Sequence, residues 1–452
     1  MKVIKILVVI FAVLAVVVAA GVFWVSRYLQ SPEFKQFVLG AARTALGADV
    51  KINDINVSLF SGVSLQGVTV ANPEGYPGQL FTADAFVLRY RLLPLLSRRG
   101  GIEIEEVSIQ KPAIELVRGD KGQWNYEKLA ARTEQPTPAG APTKAPTTTK
   151  PSAKPSNFEI SLSKLLLTDG NVMISEKTKA LLAIMRINLS SSLTMAADKL
   201  SGSGQASIGT IDVANRLFVR QITSPLNVSA DEIQLAPLSG KIAGGTVSGD
   251  IAVKVVGDLK YTVNLQVRDA DIDTLLQEAH TKRVMNGKLQ ATVAFEGTGG
   301  LPTMVGNGRA EIVGGKLVEI PLLNQLSFLL QVPALKELKF DECRVEFSMS
   351  NNVMQTPVIR LISPEVQLTG KGSVNLEDYS LNHDMTLALA KGLLANVPKE
   401  VRAIFTERSD GYLILDFRVW GPYDSPKTDL QQRIVKGAAE QLLEKGLQKL
   451  LR

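Results

Sequence analysis

Histidine and cysteine, two side chains often used in acid–base, nucleophilic and metal chemistry, are scarce in this sequence. Among its 452 residues there are two histidines, His280 and His383, far apart in the chain, and one cysteine, Cys343. A Ser-His-Asp triad or a histidine-based metal centre needs several such groups in one place. We therefore predict no catalytic residue, no metal site and no bound cofactor, and we expect that the protein is not an enzyme.

Two glycine-rich runs, "GTGGLPTMVGNG" and "GSGQASIG", do not match the spacing of a P-loop or a dinucleotide-binding fingerprint. They are predicted to be turns between strands. The carboxylates of "IEIEEVSIQ" fit a solvated strand face better than the paired acids of a glycosidase. A hydrolase is the enzyme class that such scattered carboxylates leave open.

The chain is mildly basic, with a formal net charge of +6 and a pI near 9.1. Its lysines and arginines are scattered rather than clustered with aromatic residues, so we expect no nucleic-acid partner. A single cysteine excludes a disulfide bond within the chain, so the cysteine count gives no sign of secretion.

Alternation of apolar residues is the strongest pattern in the sequence. In "GGTVSGDIAVKV", Val247, Ile251, Val253 and Val255 share one register, and mostly polar residues fill the other. A period of two is typical of a strand with one apolar and one polar face. The pattern returns in "YTVNLQVRDA", "GKLQATVAFEG", "CRVEFSMSNN" and "GYLILDFRVWG". We predict a mainly β fold whose strands form a long, mostly antiparallel sheet.

Helices are predicted in only a few stretches, at residues 31–47, 271–284, 320–337, 391–405 and 426–452. The last of these is a basic amphipathic helix. It could lie on a membrane surface or cap the end of the sheet, and its sequence favours neither.

The N-terminus predicts where the protein is located. Residues 6–25 form a nearly uninterrupted apolar run preceded by Lys2 and Lys5. About twenty residues at about 1.5 Å each span roughly 30 Å, enough to cross a bilayer core. Trp24, near the end of this run, and Tyr28, just after it, occupy positions suited to interfacial aromatic residues. We expect an uncleaved single-pass anchor with the bulk of the chain outside the cytoplasm; a cleaved signal peptide is the alternative.

Residues 131–157 contain no Val, Ile, Leu, Phe, Trp or Tyr, and Pro, Ala, Thr, Ser and Lys dominate. With nothing to bury, this segment is predicted to be a disordered, fairly extended linker. The predicted domains are a membrane anchor, a first β region, the linker, a second β region and a C-terminal amphipathic helix, at residues 1–30, 31–130, 131–157, 158–425 and 426–452.

Longer stretches resemble a known family. After the apolar N-terminus, "INDINVSLFSGVSLQGVTVANPEGYPGQLFTADAFVLRYRLLPLL" and "IEIEEVSIQKPAIELVRGDKGQWNYEKL" resemble the AsmA family of bacterial envelope proteins. The stretches "NGRAEIVGGKLVEIPLLNQL", "QLTGKGSVNLEDYSLNHDMTLAL" and "FRVWGPYDSPKTD" are similar to the C-terminal region of that family. These are patterns of strands and turns rather than catalytic signatures. The chain departs from the largest members in being short and in carrying the linker.

The resemblance implies a protein anchored in the bacterial inner membrane, with a curled periplasmic β-sheet that forms an apolar groove. It implies phospholipid as the bound partner and a role in moving phospholipid towards the outer membrane, with other envelope proteins as further partners to expect. The alternative, from a different class, is a structural or assembly factor for outer-membrane proteins that binds a polypeptide instead of lipid.

The apolar face of such a sheet has three possible arrangements. The sheet could fold back as a sandwich, the helices could cover the face, or the face could stay open as a trough for acyl chains. The resemblance favours the trough. Bound acyl chains would then cover an apolar surface that is otherwise an aggregation liability. The positions predicted to line the groove, each of which could also be an ordinary core position, are Val253, Val263, Leu265, Val293, Phe295, Val345, Phe347, Leu387 and Leu415.

Overall fold

The computed structural model describes residues 31–58, 62–91, 102–127, 129, 160–196, 199–256, 260–298, 303–318, 323–324, 327–328, 332–395, 397, 399–437, 439 and 443. The predicted anchor and the predicted linker lie outside these residues. Of the helices within them, none is both long enough and apolar enough to cross a membrane.

Strands account for most of the described residues, which confirms the mainly β fold class. In chain order they are β1 Val50–Ser58, β2 Gly62–Ala71, β3 Gln79–Arg91, β4 Ile102–Gln110, β5 Ala113–Arg118, β6 Ile160–Glu176, β7 Lys179–Ala196, β8 Lys199–Val213, β9 Leu217–Ser229, β10 Glu232–Ile242, β11 Gly245–Lys254, β12 Lys260–Asp271, β13 Met285–Thr298, β14 Val305–Val318, β15 Glu337–Ser350, β16 Val353–Ile362, β17 Val366–Asn375, β18 Ser380–Ala390, β19 Thr406–Glu407, β20 Tyr412–Pro422 and β21 Lys427–Thr428.

Helices in the described ranges are short. They are α1 Pro32–Leu46, α2 Ile272–Glu278 and α3 Lys399–Arg402, with 3₁₀ helices at Pro333–Leu335 and Lys391–Leu394 and helical residues at 430–437. The helix predicted at 31–47 is confirmed by α1. The helices predicted at 320–337 and 391–405 are present only as such short pieces in the described residues.

The predicted helix at 271–284 begins where expected but is half as long, because its C-terminal end is capped early. Asp271 accepts a hydrogen bond from the backbone N–H of Thr274 (2.9 Å) at the start of α2. At the other end His280 has a φ of 54°, the left-handed conformation that ends a helix. The N–H of Thr281 then donates to the carbonyl of Leu276 at 3.0 Å, as in a Schellman motif.

The chain divides into two compact units, and the first comprises Met1–Gly240 and Asp250–Leu259. In it β1, β2 and β3 form an antiparallel meander, and β4 and β5 both pair with β3. Strand β6 runs parallel to β4 and β5, and β7, β8 and β9 follow antiparallel. The sheet is therefore mixed. A parallel pair needs a long connection between its strands, and the segment between β5 and β6 provides it.

Helix α1 covers the start of this first sheet. Val38, Ala42 and Leu46 recur every four residues, so they lie on one side of the helix and are buried. They pack with apolar residues of β1, β2 and β3. Leu129 is buried in the same region, in a cluster against which Leu116 of β5 packs.

The second unit comprises Lys241–Gly249 and Lys260–Arg452. Its strands β12 to β18 pair antiparallel with their chain neighbours, β20 joins β18, and the short β19 and β21 pair with β20. Its buried cluster includes Leu335 and Leu394 of the 3₁₀ helices and Leu430 and Ile434 of the last helix. Leu430 and Ile434 thus pack against the sheet. Most of the predicted tail after residue 437 lies outside the described residues, so its placement on a membrane surface or on the sheet stays a prediction.

Candidate functional site

The register of the second unit places every predicted groove position except Val253 on one face of its sheet. Partners across an antiparallel ladder share a face, and so do residues two apart in one strand. Four neighbouring rows on this face are Val263, Phe295, Gly306, Met349, Met354, Val374 and Leu381; Leu265, Val293, Gly308 and Phe347; Val267, Ala291, Ala310, Val345, Ile359, Gly370, Met385 and Phe417; and Ala270, Leu289, Ile312, Cys343, Leu361, Leu368, Leu387 and Leu415. The alternation predicted from sequence therefore builds one continuous apolar surface.

The opposite face of the same strands is polar. One of its rows contains Gln290, Glu311, Arg344, Arg360, Thr369, Thr386 and Asp416. The guanidinium of Arg344 forms an ion pair with Glu346 (3.3 Å), and the hydroxyl of Thr386 donates to Asp416 (2.6 Å). The sheet therefore presents one wet face and one apolar face.

One side of the apolar face is buried, and we call it the capped part. It comprises the rows through Leu387 and Leu389 together with the helical residues that cover them, including Leu335, Leu394 and Leu430. Leu387 is only 1% exposed, and Leu415 packs against the same cluster. These two predicted groove positions thus lie in the folded core of the unit.

The other side of the face, which we call the open part, contains six more predicted groove positions. In the described part of the chain, none of the three buried apolar clusters contains any of them, and each is only partly buried. They are Val263, Leu265, Val293, Phe295, Val345 and Phe347. The open part is therefore an apolar surface that the described elements leave accessible.

The remaining predicted position, Val253, stands apart. It lies in β11, in the segment Asp250–Leu259 that belongs to the first unit, and it is partly buried. Its assignment to a groove stays a prediction that rests on the alternation of β11 alone.

Titratable side chains on the apolar face are engaged in packing. His383 is 7% exposed, and its Nε2 lies 2.9 Å from the hydroxyl of buried Thr356. Burial lowers the pKa of His383, which keeps the imidazole neutral. Burial, with a smaller contribution from Glu342, raises the pKa of the Cys343 thiol to about 11. A thiol in that state is a poor nucleophile.

Two glycines of the open part were not predicted as site residues. Gly306 and Gly308 belong to a run predicted to be a turn, but they lie inside strand β14. The turn assignment fails there because these glycines have strand neighbours on both sides, Phe295 for Gly306 and Phe347 for Gly308. The second run, "GSGQASIG", is also strand, within β8. A register reading of "GNGRAEI" would have found the alternation, since Gly306, Gly308, Ala310 and Ile312 occupy every second position.

The family model of AsmA matches residues 1–207. Over this stretch the chain is similar to the AsmA family. The AsmA match covers α1 and β1 to β7 and ends within β8. A search of curated proteins gave no match. The similarity of the C-terminal strands to the AsmA family, drawn from their sequence, stays a prediction.

Proposed function

We propose that this protein binds phospholipid through the acyl chains on the open part, and that it passes lipid along a curled apolar groove of which the open part is one section. The observation that carries the proposal is the continuity of the apolar rows across neighbouring strands, with partly exposed side chains on the open part. Burial of hydrocarbon contributes about 0.8 kcal/mol per CH₂ group, so an apolar surface of this kind suffices to hold a lipid tail.

The residue types on the face support lipid rather than a hydrogen-bonding ligand. The six predicted positions of the open part carry only aliphatic and aromatic side chains without polar groups, and the backbone groups of β13 and β14 are used in pairing with their neighbours. An acyl chain needs no hydrogen bonds, whereas a polypeptide must satisfy its own N–H and C=O groups. The lipid head group would stay in water at the edge of the face.

The proposed location follows the sequence of the N-terminus and the AsmA match. We place residues 6–25 in the bacterial inner membrane and the bulk of the chain in the periplasm, where the protein would support outer-membrane lipid homeostasis. Fractionation of cells that produce the full chain, with mass spectrometry of the mature N-terminus, tests this proposal. Recovery of an intact N-terminus in the inner membrane is expected; a mature chain that starts near residue 21 would contradict the anchor.

Lipid occupancy tests the binding proposal directly. The full chain is purified in mild detergent, and bound phospholipid is counted by native mass spectrometry and by phosphorus assay of the extract. We expect co-purified phospholipid that Val293→Glu removes and that Thr292→Glu, on the polar face, leaves in place. A lipid-free protein that carries an unfolded outer-membrane polypeptide instead would replace this proposal with the assembly role.

A further inference from the structure

Two aromatic rings of the open part lie against glycines of strand β14. A Cβ atom on Gly306 would stand 2.3 Å from Cδ1 of Phe295, and one on Gly308 would stand 2.4 Å from Cζ of Phe347. Real carbon atoms do not approach so closely, so both rings occupy the space that a side chain of β14 would fill. Both rings therefore reach over the backbone of β14.

The same two rings also contact each other. Phe295 belongs to β13 and Phe347 to β15, the two strands on either side of β14. Their ring centroids are 6.4 Å apart, and their planes are inclined by 28°. Rings from two different strands thus meet above the third, and we call Phe295, Phe347, Gly306 and Gly308 together the ring platform.

The ring platform solves a chemical problem that the glycines create. A strand without side chains exposes its peptide groups on the apolar face, and contact of peptide groups with hydrocarbon is unfavourable. Aromatic side chains that lie across neighbouring glycines restore an apolar covering. The surface stays apolar at β14, but it lies closer to the backbone of the sheet than a row of larger side chains would place it.

The capped part contains the same arrangement in a different setting. A Cβ atom on Gly315 would stand 2.2 Å from Cζ of Phe340, so this ring also lies over a glycine of β14. Phe340 is only 2% exposed and belongs to the buried cluster, where other residues of the protein cover it. The rings of the open part are partly exposed, so part of each ring is available to a ligand.

We infer that the ring platform is the surface on which acyl chains rest, and that Gly306 and Gly308 set the depth of the groove at this point. The inference rests on the proposed function and names the residues that determine how much hydrocarbon fits. The occupant is the hydrocarbon chain of a two-chain phospholipid, because flat rings offer dispersion contacts and no hydrogen-bonding groups. A larger residue at either glycine would lift a ring into the path of the chain.

Photo-crosslinking in the full chain tests whether lipid touches the platform. Phe347 is replaced by p-benzoylphenylalanine, the protein is mixed with vesicles of phosphatidylethanolamine and phosphatidylglycerol, and adducts are identified by mass spectrometry after irradiation. The same replacement at Phe340 is the matched control. We expect phospholipid adducts at 347 and none above background at 340. Equal adduct at the two positions, or no adduct at 347 in protein that carries lipid, would overturn the inference.

Removal of the rings supplies a second measurement. In Phe295→Ala/Phe347→Ala the peptide groups of β14 become exposed to the chain and two apolar contacts are lost, so we expect phospholipid affinity to fall about tenfold or more. Phe340→Ala is expected to lower the melting temperature more strongly and to leave the lipid bound per folded molecule unchanged. Wild-type lipid content in the double variant would contradict the platform. If the unaltered protein binds no phospholipid at all, the proposed function itself fails.

Discussion

The capped part and the open part of the second unit belong to the same strands and show the same alternation of residues, yet they have different surroundings. Both include a phenylalanine ring over a glycine of β14, Phe340 in the capped part and Phe347 in the open part. The first ring is buried in a cluster that also contains helical residues, and the second is partly exposed. The comparison teaches that alternation identifies an apolar face, whereas the elements packed on it decide whether a position is core or binding surface.

The largest expected effect is a charge placed in the capped part. Leu387→Glu would bury a carboxylate without a partner among residues such as Leu368 and Leu415. We expect a loss of about 4 kcal/mol or more in unfolding free energy, enough to abolish folding of this unit. Circular dichroism and thermal unfolding would show it. A variant that melts within a few degrees of wild type would mean that the capped part is open to water.

The Cys343 thiol allows a pH test of the same burial. Because its pKa is raised to about 11, the folded state favours the protonated thiol, and this stabilisation is present below the unfolded pKa of about 8.5 and is lost as the pH rises towards 11. Between about pH 8 and about pH 10 the wild type should lose about 2 kcal/mol more unfolding free energy than Cys343→Ala.

Denaturant unfolding at the two pH values makes this comparison. A sharper version moves the thiol to the open part with Val345→Cys in the Cys343→Ala background, where alkylation should follow an ordinary thiol pKa of about 8.5. Equal pH dependence of alkylation at positions 343 and 345 would mean that the capped part and the open part do not differ in burial.

A charge in the open part should act on binding more than on folding. Val293 is only partly buried, so the carboxylate of Val293→Glu can reach water, and we expect a stability loss under about 1 kcal/mol. The same carboxylate lies among the rows proposed to hold acyl chains, so bound phospholipid should fall to background. Thermal unfolding and phosphorus assay on one preparation check both effects. Unfolding comparable to that of Leu387→Glu would assign Val293 to a closed core.

The smallest effect is expected on the polar face, one residue away. Thr292 is exposed and lies opposite Arg309 across the ladder, so Thr292→Glu adds a carboxylate near a guanidinium. Opposite charges on facing strand positions contribute well under 1 kcal/mol, and we expect both stability and lipid content to stay at the wild-type level. A loss of lipid in this variant would show that lipid binding does not depend on which face of the sheet carries the charge.

Much of this fold follows from its sequence, since a period of two in the apolar residues specifies both the strands and the face that each one buries. Val263, Phe295 and Leu387 were assigned to a single face in this way, and the register agrees. Which of them would be covered was not predictable, because the cover comes from short helical pieces whose apolar residues, such as Leu335 and Leu394, have no periodic pattern of their own.

Local signals failed where tertiary contacts overrode them. Glycine disfavours strand interiors, so the runs in β8 and β14 suggested turns, but close packing of neighbouring side chains over Gly306 and Gly308 explains why small residues are needed there. The parallel pairing of β6 with β4 and β5 also escaped prediction, since a meander assumes that each strand pairs with the one before it.

That parallel pairing sets a minimum reach for the segment that joins the two strands. Leu129 belongs to a buried cluster against which Leu116 packs, and Leu116 lies opposite Ile174 of β6. The chain re-enters the sheet at Ile160, fourteen residues earlier along the same strand. At about 3.3 Å per residue, the distance along β6 from Ile174 back to Ile160 is about 46 Å. This exceeds the roughly 30 Å that a flexible coil with the length of the segment between Leu129 and Ile160 spans on average. The positions of Leu129 and Ile160 therefore set a minimum length for the segment that joins them. Deletions should be silent until fewer than about 14 residues remain between Leu129 and Ile160, after which the taut chain pulls β6 out of register and the melting temperature drops.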